Sequence, residues 1–87
     1  MIDYKKLIKE KIKLVTECTD ESLATEFDGM SLTGAHYRLD HIQLAYLFYE
    51  VQKELNIKFD LIRLENYEFN TIEKINFLIN DVLENDN

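Results

Sequence analysis

The sequence predicts an all-α domain of three main helices and one short one. Three observations carry this. Proline is absent and glycine occurs only at Gly29 and Gly34, so helices are punctuated in a single place. Three segments repeat large apolar side chains at i, i+3, i+4 and i+7, the spacing that gathers them on one helical face. No segment sustains the two-residue alternation of a strand.

The first helix is expected to start at Asp3, a good N-cap residue. Tyr4, Leu7, Ile8, Ile12 and Val15 follow helical spacing, Leu14 flanks them, and the end is expected near Glu17. Residues 18–39 lack periodicity, hold both glycines and read as a long loop. The second helix starts at Asp40, where Asp40-x-x-Gln43 has the form of a capping box. Leu44, Leu47, Phe48, Val51 and Leu55 make its stripe, and Asn56 ends it. Residues 60–65 allow one or two turns, too short to persist without packing. The last helix is expected to open on a capping box, Asn70-x-x-Glu73, with Ile72, Ile75, Ile79 and Val82 as its stripe and Leu78 and Leu83 alongside. The polar end, Glu84 to Asn87, is expected to fray from about residue 85.

Composition sets the class. Eighty-seven residues make one domain, spanning 1–87, with one small core. Apolar residues are 46%, too many for a disordered chain. The longest apolar runs fall far short of a membrane span. The interleaved start MIDYKKLIKEKIKLV is unlike a secretory leader. One cysteine, Cys18, excludes an internal disulfide and reads as a small apolar residue near a helix end. The expected location is cytoplasmic and the expected state monomeric. Residues 1–15 carry five Lys against Asp3 and Glu10, while the remainder holds fifteen acids and five bases, for a net charge of −7. Such a chain is a poor nucleic-acid binder. The Lys run reads as a solvated face, with a docking patch as the alternative.

The second and last helices carry a resemblance. Asp40-His41-Ile42 is followed by Leu47 and Val51, then by Leu55-Asn56-Ile57-Lys58-Phe59; Thr71-Ile72 and Ile75 to Ile79 come downstream. In order and spacing these resemble acyl carrier proteins, whose second helix opens Asp-Ser-Leu and whose last helix opens on Thr-Val. The match covers residues 40–83, and within the carriers the chain is most similar to the acyl-carrier-related proteins of bacterial peptide (bacteriocin) maturation systems. The resemblance implies a four-helix, carrier-like bundle with a long loop between helices 1 and 2. It also implies 4'-phosphopantetheine on the serine of that motif, but His41 stands there, and imidazole cannot anchor the phosphodiester. The acids that usually follow are replaced by Tyr46, Gln52 and Lys53. The expected function is therefore a non-catalytic interaction protein without cofactor or metal, serving a biosynthetic or peptide-modifying enzyme.

The alternative is a true acyl or aminoacyl carrier. Gly29-Met30-Ser31-Leu32 resembles the attachment motif, and Ser31 would then bear the phosphopantetheine. A helix would have to run from about 31 to 55 through Gly34, where glycine costs about 1 kcal/mol relative to alanine. His36, His41 and Asp40 lack a recognised ligand spacing, and Ser31, His41 and Asp40 lack a nucleophile signature. The second helix carries a further signal. Ile42, Tyr46, Tyr49 and Lys53 lie opposite its core stripe, where polar residues belong. Either residues 18–39 and the short helix cover them, or they bind a partner.

Overall fold

The computed structural model describes residues 2–66 and 69–85. Helices Lys5–Val15 (α1), His41–Leu55 (α2), Leu61–Glu65 (α3) and Ile72–Asn85 (α4) are joined by loops, and no strand occurs among the described residues. The radius of gyration is 12.0 Å, which matches the roughly 12 Å expected of a compact chain of this length. The long first loop is therefore folded into the body rather than spread from it.

α1 packs against α2 and α4. Ile8 and Ile12 of α1, Leu47 and Val51 of α2, and Ile72, Ile75 and Ile79 of α4 are fully buried. Phe48, Phe59 and Phe69 meet in a cluster with ring centroids 5.0–5.8 Å apart, which seats the segments on both sides of α3. Leu14, in contrast, is 68% exposed and takes no part in the stripe.

The loop between α1 and α2 is packed, not structureless. It contains a 3-10 turn at Thr25–Phe27 and gives Leu23, Leu32, Tyr37 and Leu39 to the core. Its main chain is tied down by Leu32 N–H to Asn70 O (2.7 Å), Leu39 N–H to Leu32 O (2.9 Å) and Glu73 N–H to Asp28 O (3.1 Å). Such bonds satisfy main-chain groups that burial would otherwise leave unpaired.

The helix ends show which local signals prevailed. Asp40 and Gln43 form the expected capping box at α2. Gln43 does more: its side-chain amide Nε2 donates to Val15 O at 3.2 Å, so one side chain joins the end of α1 to the start of α2. Asn56 closes α2 in the left-handed conformation, φ 50°, which asparagine tolerates better than most residues. Three expected ends differ. α1 begins two residues after Asp3, which accepts from Lys5 N–H at 2.8 Å from outside the helix, and it ends at Val15, not near Glu17. At α4 the first-turn amide of Lys74 is met by Thr71 Oγ1 at 3.0 Å, not by Asn70. Asn70 is instead bonded to Ser31 and Thr33 in the loop. The tertiary bond displaced the local one. At the other end, α4 continues through Asn85, whose amide returns to Asp81; the rest of the expected frayed tail, residues 86–87, lies outside the described residues.

Candidate interaction surface

The outer face of α2 is open. Ile42 is 69% exposed, Tyr46 59% and Tyr49 56%. Neither the loop nor α3 covers them, which removes the intramolecular alternative for this face. The geometry follows from the helix: Leu47, Phe48 and Val51 turn inward against α1 and the phenylalanine cluster, and residues half a turn away must then point out. Lys53, also exposed, places its Nζ 5.9 Å from the centroid of the Tyr49 ring. Such an exposed cation–π contact contributes about 0.5–1 kcal/mol.

His41 is the first residue of α2 and is exposed. It stands at the rim shared by two concave surfaces. One is a shallow face formed by His41, Ile42, Ala45, Tyr46 and Tyr49. The other is a cleft of about 370 Å³ between α2 and α3, lined by apolar Leu44, Ala45, Leu64 and Phe69 and by polar Thr33, His41, Glu65 and Asn70. Leu61 and Ile62 of α3 are a further 67% and 54% exposed. Five of the exposed large apolar side chains thus belong to α2 and α3; Ile2, Leu14, Met30 and Phe77 are exposed elsewhere.

Ser31 lies within the loop before α2 and does not itself begin a helix. Its Oγ accepts from Asn70 Nδ2 at 3.0 Å and lies 3.2 Å from Thr33 Oγ1. The helix that a Ser31 anchor would require, from about 31 to 55, is not formed: α2 begins ten residues later, at His41. His36 is engaged within the loop, with Nε2 2.8 Å from Ser22 O and its ring stacked 4.0 Å from that of Phe27. Among the described residues no group of three or more His, Cys, Asp or Glu could hold a metal ion, and no helix is long and apolar enough to cross a membrane.

The Lys run of α1 serves the fold. Lys9 lies 3.0 Å and Lys5 3.8 Å from the carboxylate of Asp28, Lys11 lies 3.0 Å from Glu54, and Lys13 pairs with Asp20. Four of its five lysines are therefore directed at the loop or at α2. Asp28 is 1% exposed, and its oxygens lack a directed hydrogen bond among the described residues; the two ammonium groups balance its charge. Nearby Tyr37 donates to Phe27 O at 3.2 Å. Burial, then the neighbouring Asp28 and Cys18, push its phenol up to about 12. Gln52, at one of the positions expected to be acidic in a carrier, is likewise structural: its Oε1 accepts from Phe59 N–H at 2.7 Å.

Sequence reasoning missed Asp28, because a charged residue beside a glycine reads as a surface turn. It also missed Asn76 and Asn80, which are buried on α4 at 7% and 4% exposure. Comparison with known protein families, characterised proteins and solved structures finds no match to this chain.

Proposed function

We propose that this domain is an acyl-carrier-related interaction protein that works without a covalent arm, presenting the outer face of α2 to a biosynthetic or peptide-modifying enzyme. The observation that carries the reading is one helix with two properties. Ile42, Tyr46 and Tyr49 project from it uncovered, and its first residue is His41, where the resemblance expects a serine. Tyrosine is enriched among the residues that dominate interface energetics. An uncovered face built of two tyrosines and an isoleucine is costly to keep in water unless something docks on it. The internal pairing of four of the five α1 lysines supports the same choice, since it makes the basic helix the weaker docking candidate.

The test is a photo-cross-linking residue placed at position 46 of the full chain in its native cells. The expected result is a discrete protein adduct, lost when Ile42 and Tyr49 are both changed to Glu and absent when the cross-linker is at Lys74. Equal labelling from positions 46 and 74 would overturn the surface. The carrier alternative, with phosphopantetheine on Ser31, has in its favour the contact of half-buried Ser31 with exposed Thr33, which lines the α2–α3 cleft.

A further inference from the structure

The cleft between α2 and α3 has a lining of its own, apart from the outer face of α2. Its volume, about 370 Å³, is at the small end of the range for ligand sites, about 300–1,000 Å³. That is room for one side chain or a small amphiphile. Leu44 and Leu64 are half-buried there and Ala45 is exposed, so the cleft keeps apolar surface in water. Covering such surface with methylene groups is favourable.

The polar groups decide what head group that occupant carries. Asn70 is committed at both ends of its amide: Nδ2 donates to Ser31 Oγ at 3.0 Å, and Oδ1 accepts from Thr33 Oγ1 at 3.4 Å. Glu65 and His41, by contrast, make no hydrogen bond or ion pair among the described residues. Arg63, the cation on the same short helix as Glu65, places Nη2 2.9 Å from Asp81 on α4. No Lys or Arg is among the described residues that line the cleft, so with histidine neutral Glu65 supplies its one formal charge. An apolar wall beside an uncompensated carboxylate is the complement of a flexible chain that ends in an ammonium. Such groups lay their methylenes on apolar surface and keep the charged head in water, and Glu65 is exposed. An alkyl carboxylate would instead bring a second negative charge to Glu65.

We propose that the α2–α3 cleft binds a primary alkylammonium group, with the alkyl chain against Leu44, Ala45 and Leu64 and the ammonium at Glu65. Two sources share this chemistry, a lysine side chain of another protein and a free alkylamine. The inference does not rest on the docking face of α2: Ile42, Tyr46 and Tyr49 form that face, and none of them lines the cleft.

The test titrates hexylamine, hexanol and hexanoate into the full-length, isotope-labelled protein through the millimolar range at neutral pH. Hexylamine is expected to shift the main-chain amide signals of Leu44, Ala45, Leu64 and Glu65. Hexanol should bind about threefold more weakly, and hexanoate more weakly still. Glu65→Gln should bring hexylamine to the level of hexanol and leave hexanol unchanged. Glu26→Gln removes an acid that does not line the cleft; it controls for the diffuse attraction of an acidic chain and should change nothing. Nα-acetyl-lysine methylamide separates the sources: shifts of the same amides assign the cleft to lysine side chains, and a response to hexylamine alone assigns it to free amines. The proposal is overturned if hexylamine shifts none of these amides, or if hexanol or hexanoate binds as well as hexylamine. It is equally overturned if Glu65→Gln leaves hexylamine unchanged, or if Glu26→Gln weakens it as much. Shifts confined to Ile42, Tyr46 and Tyr49 would put the amine on the outer face of α2 and overturn it too.

Discussion

Asp28 is the residue on which the first loop turns. Its carboxylate is buried between Lys5 and Lys9, and its carbonyl accepts from the Glu73 amide at the start of α4. Removing one partner of a buried pair costs about 3–5 kcal/mol. Lys5 and Lys9 keep a third and a fifth of their side-chain surface in water, so they can resolvate, and the loss should be smaller. Asp28→Asn is expected to lower stability by about 2 kcal/mol in urea titration; a change under about 0.5 kcal/mol, the range of ordinary surface substitutions, would mean the pair is ornamental. Tyr37 gives a pH signature. Its folded-state value is raised to about 12 from 10.0. The native state therefore holds the phenolic proton more tightly than the unfolded chain does. That contribution is fully present below pH 10 and is lost as pH rises towards about 12. The measurement is comparative: stability should fall less steeply above pH 10 in Tyr37→Phe than in the parent. Parallel slopes would refute the assignment.

At the scale of elements, α2 was legible and the long loop was not. The α2 register follows from a five-residue apolar stripe and a capping box that agree with one another, and local agreement of that kind is hard to override. Leu47→Ala should cost about 2–5 kcal/mol, since the residue is fully buried. Tyr46→Glu, one position away on the same helix, should change stability by less than about 0.5 kcal/mol. Chemical denaturation of the pair checks the register directly; a reversed order of effects would place the helix the other way round. The cap of α4 was misread because Asn70 has two competing uses, and sequence shows only the local one. The ion pairs of the α1 lysines could not be read for a related reason. Their partners Asp20, Asp28 and Glu54 lie in other elements, and periodicity in one helix says nothing of what folds back against it. The asparagines of α4 fall in the same class: a polar residue in a helix reads as solvent-facing until the segment it binds is in place.

For the molecule as a whole, the helical class and the placement of all four helices were readable because the chain lacks proline and confines glycine to one loop. The candidate surface was half readable. Helical spacing puts Ile42, Tyr46 and Tyr49 opposite the core, but only the folded chain decides whether a loop lies over them, and here none does. What the loop does instead is fill the core with Leu23, Leu32, Tyr37 and Leu39, and bind Ser31 to Asn70. The central claim, a carrier-related domain that acts by docking and not by carrying, is tested most directly by intact-mass measurement. The full chain is incubated with coenzyme A and a phosphopantetheinyl transferase of broad specificity, beside a true carrier as positive control. The expected result is an unchanged mass for this chain while the control is modified in full. A gain equal to one phosphopantetheine arm, abolished by Ser31→Ala and untouched by His41→Ala, would contradict the claim and make this protein a carrier.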